Sequence, residues 1–441
     1  MLSSTPVTAG IASTTAVETS PLVPPAAMWQ NRPMATRRIR NRPLKEKHLL
    51  PQWLADARAG RPDAAAFCRH AEHCGGCDLQ EHPYDEQLAI KGALWRRVIE
   101  HFDADAWLGG IEPTIIPSPK QTRYRQRMDY TVAFGKCGLR QAGDWRTLID
   151  LQECHLLPER GFAAMRRAVE LGDEFGLKHY NFITQKGFWR YCSLRCTSLD
   201  QVMLCLTTAH RDHARGVERT AQALLDEGLV DSVHWLVNES KSDRAGGEPE
   251  THWGQEFIEE RILDRIFPIG PASFFQANQA VTEQAYARLR DWLRATSPRC
   301  GLDLYAGIGT IASLLADCCQ RVIAVENDPA NLALFRQACD RNGIANVELV
   351  ASGVEEWLLA GDLPDIDALV INPPRIGLRE RGSHVVRDLG AGRLGYMSCN
   401  PLSLVRDLDI LRQAYEIVSV NIFDMFPQTR HFETVVLLER R

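Results

Sequence analysis

The chain has 441 residues, 45% of them hydrophobic and 24% charged, with a formal charge of −5. That is enough for two or three domains with substantial cores. It leaves any nucleic-acid contact to local basic patches, and no apolar run approaches the ~18 residues of a membrane span. The 13 cysteines are an odd number without the spacing of a secreted disulfide framework. They point to thiols used for metal binding or catalysis in a reducing cytoplasm.

Residues 1 to about 30 are rich in Ser, Thr, Ala and Pro and carry no apolar periodicity, which predicts disorder. A basic run follows, Arg32, Arg37, Arg38, Arg40, Arg42, Lys45 and Lys47, opposed only by Glu46. It reads either as a phosphate-contacting arm or as a solvated tail. Residues 1–66 are therefore expected to form a disordered, basic arm.

Residues 67–110 open with Cys68, Cys74 and Cys77, the last two flanking Gly75-Gly76. Three thiolates within ten residues, with glycines in the turn, can wrap one metal centre. A fourth thiolate is required. Cys154 is the choice and Cys137 the rival. Zinc and an iron–sulfur cluster accept the same four ligands, so spacing leaves both open. Leu88, Leu94, Trp95, Val98 and Ile99 then predict a helix over about 85–102.

From 111 to 272 the pattern is largely β. Period two places Arg123, Arg125 and Arg127 on one face of a strand, where three guanidiniums repel unless they meet acid or phosphate. Lys186, Arg190 and Arg195 would extend that patch, with Trp189 able to stack on a base. Phe162, Met165, Val169 and Leu171 mark an intervening helix. Residues 240–250 read as a hairpin tip.

From 273 the chain alternates strands and helices. Phe274-Phe275-Gln276-Ala277-Asn278 precedes an amphipathic helix. Leu302 to Leu304 is a strand that runs through Tyr305-Ala306-Gly307-Ile308-Gly309 into a helix. Gly307 and Gly309 let a ligand touch the backbone at the helix start. A second strand, 321–325, ends in Glu326, placed to meet ribose hydroxyls. Ala312 or a neighbour replaces the third glycine of a dinucleotide fingerprint, and with the early Asp303 this favours S-adenosylmethionine over NAD. The strand 368–371 delivers Asn372-Pro373-Pro374-Arg375, whose prolines stiffen a strand end facing the crevice. The strand Leu394 to Met397 delivers Cys399 to a turn made by Asn400 and Pro401. Strand-end thiols sit where open parallel sheets do chemistry, and a thiolate attacks carbon that a hydroxyl cannot reach unaided. Strands 417–423 and 434–438 close the chain, with Glu433 at a loop–strand junction. A hairpin of these two strands would bring Glu433 towards Cys399.

The glycine turn, the Cys399-Asn400-Pro401 turn, the Asp424-Met425-Phe426-Pro427…Glu433 loop and the four cysteines together resemble the iron–sulfur-containing RNA 5-methyluridine methyltransferases. The resemblance runs from about Cys68 to the C-terminus. It implies a class I, Rossmann-like methyltransferase domain at 273–441, a central β-rich RNA-binding domain at 111–272 and an iron–sulfur segment at 67–110. It implies Cys399 as nucleophile on uracil C6 and Glu433 as the base that removes the C5 proton. Gln276, Tyr305, Glu326 and Asn372 match positions that contact S-adenosylmethionine or the base. Cys68, Cys74, Cys77 and Cys154 match ligands of a [4Fe–4S] cluster, which moves the choice from zinc to iron and sulfide. Many relatives carry Asp where this chain has Asn372, and many have an N-terminal barrel that the region before Cys68 cannot supply. Both features lean towards 23S rRNA over tRNA. A cytoplasmic monomer acting on RNA, with no membrane, is expected.

Overall fold

The structure, a computed structural model, describes residues 46–441 apart from 361 and 362. The basic run up to Lys45 lies outside the described residues. Within the segment 1–66 expected to be a disordered arm, Glu46–Arg58 instead forms helix α1 against α2 (Tyr84–His101). Arg58 pairs with Glu81 and Arg61 with Glu86, joining this helix and the loop after it to the start of α2.

An eight-stranded sheet carries the C-terminal half. It uses β1 (Thr114–Ile116) and seven later strands. Before them come two other sheets. The first runs β2 (Arg127–Ala133), β3 (Lys136–Gln141), β4 (Asp144–Asp150), α3 (Glu159–Glu174), β5 (Trp189–Cys196), β6 (Val202–Thr208), α4 (Ala214–Asp226), β7 (Ser232–Val237) and β8 (Glu248–Gly254). Its order is β4-β3-β2-β5-β6-β7-β8, antiparallel except for β6–β7, whose parallel pairing is bridged by α4. The second is the hairpin β9 (Ile258–Ile262) and β10 (Arg265–Ile269).

The large sheet is completed by α5 (Gln279–Arg294), β11 (Cys300–Leu304), α6 (Thr310–Ala316), β12 (Arg321–Glu326), α7 (Pro329–Asn342), β13 (Val347–Ala351), α8 (Val354–Leu359), β14 (Ala368–Ile371), α9 (Arg379–Leu389), β15 (Arg393–Ser398), α10 (Pro401–Leu411), β16 (Tyr415–Phe423) and β17 (Glu433–Arg440). The strand order is β1-β16-β17-β15-β14-β11-β12-β13. β13, β12, β11, β14 and β15 are mutually parallel. β17 runs antiparallel between β15 and β16. This is a doubly wound, Rossmann-like α/β fold. Central strands such as Val322-Ile323-Ala324-Val325 are apolar on both faces because helices cover both.

Packing moves two expected boundaries. β1 pairs with β16 and so belongs to the large sheet, not to the central region. Ile258, Ile262, Phe267 and Ile269 of the hairpin share one core with α5, α6 and α7, well before residue 272. The central sheet has its own core, built on Tyr130, Trp189, Leu204 and the faces of α3 and α4. No helix among the described residues is long and apolar enough to cross a membrane.

Candidate active site

β15 ends at Ser398, so Cys399 stands in the turn between that strand and α10. Asn400 caps α10, its side chain accepting from Leu402 N at 3.2 Å, and Pro401 occupies the first helical position. The Asn-Pro pair thus starts a helix directly behind the thiol. On the other side, Ser398 pairs with Thr434 of β17. Glu433, the preceding residue, therefore lies beside Cys399 across the ladder. The anticipated pairing of β16 with β17 is present, Phe423 opposite Glu433. The direct neighbour of β15, however, is β17 itself.

Glu433 is buried, and burial pushes its carboxyl up to about 8, against the opposing pull of the Arg375 guanidinium. Its Oε1 has no hydrogen-bond partner in the described structure. The half-buried Cys399 thiol is also raised, first by burial and then by the Glu433 carboxylate, while the charge and a hydrogen bond of Arg375 lower it. Arg375 thus faces both groups. Its backbone is fixed from α10: Asn400 Nδ2 donates to Arg375 O at 2.8 Å and Ser403 Oγ at 3.1 Å. Three residues on, Leu378 N donates to Asp407 Oδ2, which also accepts from the Tyr396 hydroxyl, both at 2.7 Å. Motif reading aimed Arg375 at the crevice without a task, and missed Asp407 and Tyr396. Nothing in their spacing marks them, since only the fold brings β15, α10 and the loop after β14 together.

The glycine turn lies at the end of β11. Tyr305, Gly307 and Gly309 take φ of 66°, 57° and 88°. A Cβ on Gly309 would stand 2.4 Å from the Phe335 ring. Glu326 holds the turn: its Oε2 accepts from Gly307 N at 2.8 Å, and its Oε1 from Asn327 N and Asp328 N at 2.9 and 2.8 Å. Asp303 is buried under the turn, and burial drives its carboxyl well above the usual range, opposed by the Ala312 backbone N–H. A cleft of about 530 Å³ opens here, lined by Tyr305, Gly353, Glu355, Pro374, Gly377 and Arg379 among others. Cys399 is not part of its lining. The loop of Pro374 and Arg375 stands between the cleft and the thiol. Asn372 follows β14 in the same loop, beside Met397. Gln276 is buried just before α5, where Ala277 O accepts from Gln126 N at 2.8 Å.

Cys68, Cys74, Cys77 and Cys154 line one small cavity with Gly76, Leu139 and Leu151. Cys137, the rival, is fully buried with its Sγ 3.2 Å from Met165 Sδ and takes no part in that cavity. Among the described residues no three of the four sulfurs lie within 4.8 Å of one another; the group that does so is Cys68, Glu153 and His155.

The expected basic patch changes most. Arg123 and Arg125 precede β2 in a loop, with φ of 55° at Arg123, so the three arginines do not share a strand face. Arg123 Nη1 donates to Cys154 O at 2.6 Å and Leu157 O at 3.1 Å, pinning the segment of the fourth cysteine. Arg127 pairs with Asp129. Arg190 is buried, donating to Asn238 O and Ser240 O at 2.6 and 2.8 Å, so it is not a surface cation. Trp189 is buried too, and Arg195 is buried against Pro271 O and Ser273 O; neither is free to meet RNA. Lys186 is exposed. Instead, cations gather near the reacting pair. His431 is held neutral, its pKa lowered to about 3, by burial first and then by Arg430, Arg375, Lys91 and Arg125. Arg125 lies over the Phe426 ring, 5.8 Å from its centroid.

Residues 252–441 match the family described as tRNA (Uracil-5-)-methyltransferase. A tRNA (uracil(54)-C(5))-methyltransferase of Pyrococcus horikoshii is 31% identical over 377 residues, covering 85% of each chain. A 23S rRNA (uracil(747)-C(5))-methyltransferase of Pyrococcus furiosus is 32% identical over 375 residues, again covering 85% of each. The crystal structure of the Pyrococcus abyssi tRNA (uracil-54, C5)-methyltransferase, in complex with S-adenosyl-L-homocysteine, matches with a TM-score of 0.69 and 28% identity. That match covers 83% of this chain and 86% of the other.

Proposed function

The chain belongs to the RNA uracil-C5 methyltransferase family, and on that premise we propose how it methylates C5 of a uridine and in which RNA. The observation that carries the mechanism is the meeting of Cys399, Glu433 and Arg375 at adjoining strand ends, in the sheet that also carries the glycine turn, with β14 between β15 and β11. Uracil C5 is a weak nucleophile. The Cys399 thiolate, favoured by the Arg375 charge, adds to C6 and moves the C5–C6 electron pair towards C4, leaving an enolate. S-adenosylmethionine, when bound at Tyr305, Gly307, Gly309 and Glu326, supplies the methyl group. C5 takes that methyl and still bears its proton. Glu433, ionised, accepts the proton, the C5–C6 double bond re-forms, and the Cys399 sulfur is expelled. Burial makes Glu433 a stronger base than an exposed carboxylate, as this last step requires. Gln276 and Asn372 are assigned to the cofactor or the base.

The target uracil must leave its stack to reach the thiol. Arg125 and Lys186 are assigned to phosphates, Arg125 being the one nearer the site; Arg123 and Arg127 already have partners within the chain. We assign the four cysteines to a [4Fe–4S] cluster with a structural task, supported by the cavity they share and by the all-thiolate donor set. The substrate is assigned to 23S rRNA. Asn372, where many relatives carry aspartate, supports this; identity to relatives does not separate the two RNAs.

Incubation with tRNA and 23S rRNA fragments carrying 5-fluorouridine tests all of this. The fluorine cannot leave as a proton does, so a denaturation-resistant protein–RNA adduct is expected, lost in Cys399→Ala. Failure to trap with either RNA would overturn the mechanism, and trapping with tRNA alone would overturn the target.

A further inference from the structure

Glu433 opens β17 directly after a nine-residue loop, Asp424 to Phe432, that has no strand pairing of its own between β16 and β17. Its shape must be imposed by other parts of the chain, and the hydrogen bonds say which. Asp424 accepts from Lys91 and, at 2.8 Å, from the Tyr84 hydroxyl; Lys91 also donates to Phe426 O at 3.0 Å. Gln87 makes a two-way contact with Gln428: its Oε1 accepts from Gln428 N at 3.0 Å and its Nε2 donates to Gln428 Oε1 at 2.9 Å. Gln428 O accepts from Asp78 N and Leu79 N, each at 3.0 Å. Asp78 then closes on Arg430, its Oδ1 accepting from Arg430 N at 2.8 Å and its Oδ2 pairing with the guanidinium. Gln428 itself sits at φ 69°, a left-handed conformation that a glutamine holds only when its surroundings enforce it.

We infer that Asp78 and Gln87 are positioning residues for the catalytic base: the cysteine segment and α2 form a cradle that sets the Glu433 loop, and with it the proton-removal step. The inference rests on the assignment of Glu433 above. Every contact in the cradle lands on residues 424–430, upstream of Glu433, and none lands on the glycine turn or on Cys399. Loosening it should therefore move the base and leave thiol attack and cofactor binding in place. A shift of about 1 Å in a reacting group costs on the order of 100-fold.

Two variants test this: Asp78→Asn, which removes the charge facing Arg430 but lies next to Cys77, and Gln87→Met, which lies on α2, outside the cysteine segment, and keeps the volume. In both, kcat should fall by roughly 10- to 100-fold while the affinity for S-adenosylmethionine stays within about twofold. On ordinary RNA the C5-methylated covalent adduct should accumulate on a denaturing gel, and hydrogen exchange of amides 425–432 should quicken. Glu433→Gln, run alongside, should accumulate the same adduct; if it does not, the assignment of the base fails and not the cradle. Turnover within about twofold of the parent in both variants would overturn the cradle. So would a loss of turnover without adduct, which would mark a general loss of folded protein.

Discussion

The buried carboxyl of Glu433 makes a claim that stability measurements can read without any RNA. Below pH 4.5 the group is protonated in the folded and unfolded chain alike. Between 4.5 and about 8 the unfolded chain releases the proton and the folded one keeps it. The folded state then binds more protons, so stability declines with rising pH across that window and levels off above about 8. At about 1.4 kcal/mol per pH unit, the span from 4.5 to about 8 corresponds to at most about 5 kcal/mol. Glu433→Gln has no proton to lose. Its stability relative to the parent should therefore rise by several kcal/mol (~3–5) between about pH 5 and about pH 8.5, whatever constant offset the amide introduces. Urea titrations of both proteins at the two pH values read that difference directly. A difference that stays within about 1 kcal/mol across the range would refute the raised, buried carboxyl, and with it the base assigned to proton removal.

Three further outcomes follow from the same geometry. Arg375→Met removes the charge that lowers both the thiol and the carboxyl; the rising limb of the pH–rate profile should move to higher pH, with a loss of roughly tenfold or more near pH 7, and an unmoved limb would clear Arg375 of that task. Gly309→Ala forces a methyl to 2.4 Å from the Phe335 ring at a φ of 88°, so a stability loss of about 1–3 kcal/mol and weaker S-adenosylmethionine binding in calorimetry are expected; an unchanged melting temperature would refute the close approach. Cys77→Ser should yield protein without bound iron or visible absorption, and retention of a full complement would remove Cys77 from the ligand set.

Much of the C-terminal half was legible because parallel strands buried on both faces are written as plain apolar runs, and because Gly307, Gly309, Cys399 and Pro401 mark strand ends chemically. Glu433 could be placed near Cys399 only on the condition of a hairpin, since adjacency across a sheet depends on strand order, which local patterns do not encode. The arginines of the central region misled for a related reason. Period two around Arg123, Arg125 and Arg127 looks like a strand, yet Arg123 adopts a positive φ and spends its guanidinium on the carbonyls around Cys154. Arg190 and Arg195 lie in fully buried β5, where carbonyl oxygens from distant loops satisfy them. A sequence cannot distinguish a cation waiting for phosphate from one already satisfied by backbone. The cradle of Asp78, Gln87 and Lys91 was invisible for the same cause: its partners stand more than 300 positions away.

The short strand Thr114–Ile116 has a bearing on how this protein can be cut. Because it lies against β16 at the rim of the large sheet, the polypeptide leaves that sheet, builds the seven-stranded one, and comes back. A fragment begun near residue 257 would leave the flank of β16 bare, its amides and carbonyls open to pairing with another molecule. Such a fragment should self-associate, whereas one that splices 114–116 back onto the rim should stay dispersed.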